Sequence, residues 1–198
     1  MITLFFVNDS GGAQEVAPPN ALEARMSTNP IAIGIPRCNN KHLILDMATT
    51  TVAYGRLCEI RDRNEPVPSE WVNSQGLLKH FGGFKGFGLA IIAEALAGAL
   101  TGGGTVSPNP PHENQSYLLI GIDIERFRPL SSFKDDVENF VEYVTNVPME
   151  NNSENLRMPG EKGTGYDLLN KVKEIAVQPF MLNQLNIIAS KFNMNHIV

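Results

Sequence analysis

Residues 81–96, Phe-Gly-Gly-Phe-Lys-Gly-Phe-Gly-Leu-Ala-Ile-Ile-Ala-Glu-Ala-Leu, constrain this chain more than any other stretch. Glycines surround Lys85 and run directly into an apolar helical pattern. Glycine lets a backbone approach a ligand or a neighbouring segment closely. A helix start offers free N–H donors and partial positive charge, and Lys85 adds a full charge there. Such a turn suits a phosphate or carboxylate. The spacing is neither the P-loop pattern nor the dinucleotide G-x-G-x-x-G, so neither fold is implied. Two readings stay open: a ligand-holding turn with Lys85 at its mouth, or tight packing of a helix on a strand.

The chain has 198 residues, 42% hydrophobic and 19% charged, enough to bury a core and too apolar for disorder. Its net charge is -5, with no basic stripe, which argues against a nucleic-acid partner. Cys38 and Cys58 lack C-x-x-C spacing and read as free thiols of a cytoplasmic protein. The apolar run from Gly86 to Leu100 is broken by Glu94 and is too short for a membrane span. No grouping of ligands points to a metal.

Periodicity predicts strands at Ile2 to Val7, Ile31 to Ile35, Leu43 to Met47 and Tyr117 to Ile124. Cys38 to Lys41 reads as a hairpin turn, with Cys38 at a strand end. Asn8 to Asn20 reads as loop. Helices are expected over Thr49 to Arg61, and after the glycines as far as Gly102. A third helix is expected after a Ser131 or Ser132 cap, striped by Phe133, Val137, Phe140, Val141 and Val144. Two short helices should form the tail, the first striped by Leu168, Leu169, Val172 and Ile175. A strong strand beginning at Ile2 suggests that the natural domain starts earlier and that this chain is cut.

Several phrases, in order, resemble the type-2 malate/L-lactate dehydrogenase family, which also includes ureidoglycolate, sulfolactate and ketimine-reducing relatives. They are Ser27-Thr28-Asn29-Pro30-Ile31-Ala32, Leu45-Asp46-Met47-Ala48-Thr49-Thr50 and Gly82-Gly83-Phe84-Lys85-Gly86-Phe87-Gly88-Leu89. Ala97-Gly98-Ala99-Leu100-Thr101-Gly102 and Met158-Pro159-Gly160-Glu161 continue the match. The resemblance implies an α/β fold of α+β type. A mixed, largely antiparallel sheet would be flanked by helices and followed by a helical tail, and the fold would not be Rossmann. It implies a homodimer, NAD or NADP as cofactor and a small 2-hydroxy or 2-oxo acid or cyclic imine as substrate. Residues 1–150 would form the sheet-based cofactor domain and residues 151–198 a loop and helical segment. By the resemblance, Ser10, Asp46, Met47, Ala48, Lys85, Gly160, Glu161 and Lys162 meet the cofactor, while Thr28 and Asn29 lie near nicotinamide and substrate. Lysine suits phosphates and a carboxylate suits a ribose diol. On the residues alone, Asp46 reads as a strand-end cap and Glu161 as a turn residue.

The family's proton-transferring histidine lies in a motif upstream of the first strand here, so no catalytic residue is assigned within this chain. His42, His80, His112 and His196 read as surface or boundary residues. Trp71 to Leu78 is shorter than the family's corresponding stretch, and Phe84 stands where relatives often carry histidine. A family arginine is replaced in the Pro111-His112-Glu113 region. The expected function is therefore the cofactor-binding portion of an NAD(P)-dependent 2-hydroxy acid dehydrogenase, without appreciable turnover alone. The competing reading is an inactive truncated paralogue serving as a binding or dimerisation module.

Overall fold

The computed structural model describes residues 1–11, 14–108, 114–150, 156–161 and 177–196. It divides into two compact units, Met1–Gly163 and Thr164–Val198. The first unit carries a four-stranded sheet of order β3-β2-β1-β4, where β1 is Ile2–Asp9, β2 Ile31–Ile35, β3 Leu43–Met47 and β4 Gln115–Ile122. All three pairings are antiparallel. The dense β-branched and aromatic content of these runs favours pleated, half-buried pairing. With helices α1 (Tyr54–Asp62), α2 (Phe84–Ala93) and α3 (Leu130–Thr145), the unit is α+β. No helix among the described residues is long and apolar enough to cross a membrane.

Three boundaries differ from expectation. The helix expected from Thr49 begins only at Tyr54. Thr49 N–H donates to Thr28 O, Thr50 bridges to His80 and Thr51 N–H donates to Lys79 O, so these backbone groups are spent on strand-like pairing. The last strand spans Gln115–Ile122, and Ile124 opens a 3-10 turn in which Asp123 accepts from Glu125 N–H. No serine caps α3: Pro129 precedes its first residue, Leu130, and Ser131 and Ser132 lie inside its first turn. Val141 is buried on the expected stripe, but Phe140 is exposed. Cys38 sits in a 3-10 turn joining β2 to β3, and both cysteines are free thiols.

The principal core lies beside the sheet. Val16, Met26, Leu57, Leu78 and Ala90 cluster there, with Val52, Tyr54 and Phe87 packed around them. Val16 bridges Met26 on one side and Leu78 on the other. The segment read as loop thus holds the anchor of the core. A lone valine among turn residues carries no periodicity.

The apolar helix after the glycines changes character midway. At Glu94–Ala99 it becomes a π-helix, closed by Leu100 N–H donating to Ala95 O. This segment packs on β1 and β4. Helix α4 (Pro179–Lys191) belongs to the second unit, with Pro179 at its first turn. The first expected tail helix, at Leu168 to Ile175, lies outside the described residues.

Candidate functional site

The glycine turn, the Asp46–Thr50 segment and the Ser27–Pro30 segment meet at one residue, Thr49. Its N–H and its hydroxyl both donate to Thr28 O, at 2.9 and 2.8 Å. Its own carbonyl accepts from Phe81 N–H at 3.2 Å and from His80 Nδ1 at 3.3 Å. Gly86 lies so close that a β-carbon there would stand 2.5 Å from Thr49 O. Hydrogen bonds and contact thus tie together phrases far apart in sequence, and Thr28, Asn29, Met47, Ala48 and Lys85 gather around this node.

The turn itself has Gly82 and Gly83 at positive φ, 56° and 61°. Three of its N–H groups are already spent. Gly83 N–H donates to His80 O, Lys85 N–H to Gly82 O and Gly86 N–H to Phe81 O. The available positive charge is the ammonium of Lys85, exposed in the first turn of α2 with its stem laid over Gly82. The packing reading holds at Gly86, and Lys85 stands exposed at the mouth of the turn.

Asp46 is exposed on β3, an edge strand of the sheet. Two residues earlier, Ile44 N–H donates to Pro159 O, so the Met158–Glu161 turn covers part of that edge. Gly160 (φ 95°) seats the turn against Ile44. Glu161 Oε2 accepts from Met158 N–H at 2.9 Å, which commits that oxygen to its own turn. Asp46 and Glu161 are thereby placed along one sheet edge. Lys162 lies outside the described residues.

Ser10 stands apart from the Thr49 node. It is buried at the end of β1, and its hydroxyl is shared between Gly103 O and Asn114 O, each at 3.3 Å. It can offer a ligand only an acceptor lone pair without breaking these bonds.

His80 corrects the sequence reading. It is 4% exposed, and its Nδ1 carries the proton because its partner is a carbonyl. Burial holds its pKa below the ordinary histidine value, against the opposing Thr49 carbonyl, and so favours the neutral ring. Its Nε2 is buried without a partner. His42 and His196 are exposed, as expected, and His112 lies outside the described residues.

The sequence reading did not find a second polar centre beside the node. Glu94, buried in the π-helical segment, accepts from Asn29 Nδ2 at 2.8 Å, Val106 N–H at 2.6 Å and Asn8 Nδ2 at 3.4 Å. Asn8 and Asn29 further donate to Gly104 O and Ala90 O. The only sequence signal was a charge interrupting an apolar run. Its partners lie on β1 and after the Met26 bridge, which no helical periodicity reveals. Among the described residues, no group of three or more His, Cys, Asp or Glu side chains is placed to hold a metal.

The family model for malate/L-lactate dehydrogenase matches residues 1–186. The chain belongs to that family. A malate dehydrogenase of Pyrococcus abyssi is 31% identical over 173 residues, covering 75% of this chain and 48% of its own length. An L-lactate dehydrogenase of Cupriavidus necator is 28% identical, covering 98% of this chain and 61% of its own. The solved malate dehydrogenase of Pyrococcus horikoshii superposes with a TM-score of 0.77 at 29% identity, covering 100% of this chain and 59% of that one. This malate/L-lactate dehydrogenase family chain thus spans about half to three-fifths of the length of these relatives.

Proposed function

We propose that this chain is the cofactor-binding portion of an NAD(P)-dependent dehydrogenase acting on a small 2-hydroxy or 2-oxo acid, working as a homodimer in the cytoplasm. The observation that carries the reading is the convergence of three family phrases on Thr49, with Lys85 and Asp46 left exposed at the surface.

The residues fit a dinucleotide in kind. Lys85 supplies the charge for the pyrophosphate, and Asp46 or Glu161 the carboxylate for a ribose hydroxyl. By the family resemblance Met47 and Ala48 also meet the cofactor and Thr28 and Asn29 lie near nicotinamide and substrate, the Asn29 amide nitrogen being held by Glu94 and Ala90 O, while Gly160 seats the turn that carries Glu161 at the β3 edge. Lys162 joins the late loop, and Ser10 contributes an acceptor at most. The nicotinamide supplies and receives the hydride. The chain's part is to orient: Thr49 fixes the glycine turn against β3, so that Lys85 and Asp46 keep their spacing.

The test is a titration of NADH fluorescence with wild type and Lys85→Ala, with thermal melts in parallel. A charge-assisted contact of this kind corresponds to roughly 10- to 100-fold in affinity. The variant should bind that much more weakly and melt where the wild type does. Equal affinities would remove Lys85 from the site. A large drop in melting temperature would make the lysine a structural contact instead.

A further inference from the structure

Glu94 lies 7% exposed where α2 gives way to the π-helix, a form that recurs at functional sites. Among the described residues each of its hydrogen-bond partners is a donor. Oε1 accepts from Val106 N–H at 2.6 Å and from Asn8 Nδ2 at 3.4 Å, and Oε2 accepts from Asn29 Nδ2 at 2.8 Å. The two amides cannot turn round. Asn29 Nδ2 also donates to Ala90 O at 3.2 Å and Asn8 Nδ2 to Gly104 O at 3.0 Å, so a reversed amide would set its oxygen against a carbonyl oxygen. In this orientation Asn8 Oδ1 and Asn29 Oδ1 are buried without partners among the described residues. An unmet buried acceptor is destabilising. The arrangement sacrifices stability and keeps both side chains on Glu94.

What the hold on Asn29 secures is its backbone. Asn29 has a positive φ of 34° and directly precedes Pro30, whose ring restricts the residue before it. Such a conformation persists only where its surroundings enforce it, and it gathers at functional sites. On one side of it Thr28 O accepts both the N–H and the hydroxyl of Thr49, and on the other Pro30 O accepts from Val7 N–H at 3.0 Å. Asn29 is 1% exposed and cannot itself meet a ligand, whereas Thr28 is only half-buried.

We propose that Glu94 is a positioning residue of the cofactor site. Acting through the Asn29 amide, it holds the Thr28–Pro30 backbone in its strained form and so keeps Thr28 seated on Thr49, where the family resemblance sets nicotinamide and substrate. What is bound there rests on the dinucleotide reading; the hold of Glu94 on Thr28 does not.

The task needs a carboxylate. In Glu94→Gln one oxygen becomes an NH2 group of nearly the same size. Turned toward Val106 it meets a main-chain N–H that cannot swing aside, and turned toward Asn29 it meets Nδ2. The remaining oxygen therefore stays with Val106, and Asn29 loses its acceptor. Asn8 at 3.4 Å adds little to the placing of Oε1, which Val106 fixes at 2.6 Å. Asn8→Ala thus disturbs the same buried centre and leaves Asn29 held.

The experiment titrates NADH and NADPH fluorescence with the full chain and follows hydrogen exchange at the Thr49 amide by NMR, against the amides of β1. Glu94→Gln and Asn29→Ala should each weaken nucleotide binding roughly tenfold, and the double variant should be no weaker than either. All three should exchange the Thr49 amide faster. Asn8→Ala should keep the wild-type affinity and the wild-type exchange at Thr49. If Glu94→Gln does not fold, Glu94→Asp, which draws both acceptors back from Asn29, takes its place and should show the same two effects. Additive losses, roughly hundredfold in the double variant, would mean that Glu94 does not act through Asn29. An equal loss of affinity in Asn8→Ala would make Glu94 a structural contact only. Should the wild type bind neither nucleotide, the dinucleotide reading falls and Thr49 exchange alone decides. Unchanged exchange in Glu94→Gln would then overturn the hold on Thr28.

Discussion

Gly86 and Lys85 are neighbours with opposite duties, and substitution separates them. A β-carbon at Gly86 would meet Thr49 O at 2.5 Å, Phe81 O at 2.6 Å and Phe81 N at 2.9 Å. All three are backbone atoms, so no side chain can swing away. Overpacking of this kind costs about 1–3 kcal/mol. Gly86→Ala should lower the denaturant midpoint accordingly at unchanged m-value, while Lys85→Ala should leave it in place. An undisturbed midpoint in Gly86→Ala would mean that the turn is free to shift off Thr49. At this scale the sequence was informative where residue type alone decides. Glycines beside a lysine announced a close approach and a presented charge. Glu94 was not legible, because its role depends on partners such as Asn8 and Asn29, which only the folded chain brings within reach.

Helix α3 is tied to the connection after β2 by a well-formed ion pair. Arg37, 5% exposed just before the Cys38 turn, donates through Nε and Nη2 to the two oxygens of Glu138, at 3.2 and 2.8 Å. That forked geometry favours the charged state of both partners. The Arg37 guanidinium accordingly holds the Glu138 carboxyl below the ordinary carboxylate value. A lowered acid pKa in the folded state stabilises the protein above the unfolded-state value, and the contribution disappears as pH falls through the folded-state value. Glu138→Gln should therefore destabilise the chain near neutral pH, and the gap to wild type should close in acid. Midpoints of urea unfolding at several pH values between neutral and acid measure this. A gap independent of pH would deny the pair its electrostatic role. The amphipathic stripe of α3 was readable from spacing, but its start was not. Pro129, at φ -56° and ψ 134°, sets the entry, and the serines behind it merely resemble caps. The same limit applies to α1, where Thr49 to Thr51 have helix-compatible neighbours but spend their backbone on Thr28, His80 and Lys79.

Taken as a whole, the first unit joins a core drawn from Val16 to Ala90 to a sheet assembled from parts more distant still. Strand identities were legible from composition. Their order was not, because β1 lies between β2 and β4 and pairs Ile2 with Ile122. Long-range pairing of this sort folds on the order of milliseconds to seconds, and chains of this size commonly pass through intermediates. The single tryptophan, Trp71, lies beside Leu78 and Lys79 through short-range bonds. Its fluorescence should change before the amides of β4 gain protection in pulse-labelled hydrogen exchange during refolding. Simultaneous signals would place sheet closure first. The same topology bears on synthesis. As the chain emerges from the ribosome, Leu4-Phe5-Phe6-Val7 meets β2 early, yet its other edge must wait until Gln115–Ile122 has been made. Until then a nascent polypeptide would carry a bare strand edge on β1. Sticking to neighbouring chains, or capture by a chaperone, is most to be expected in that interval.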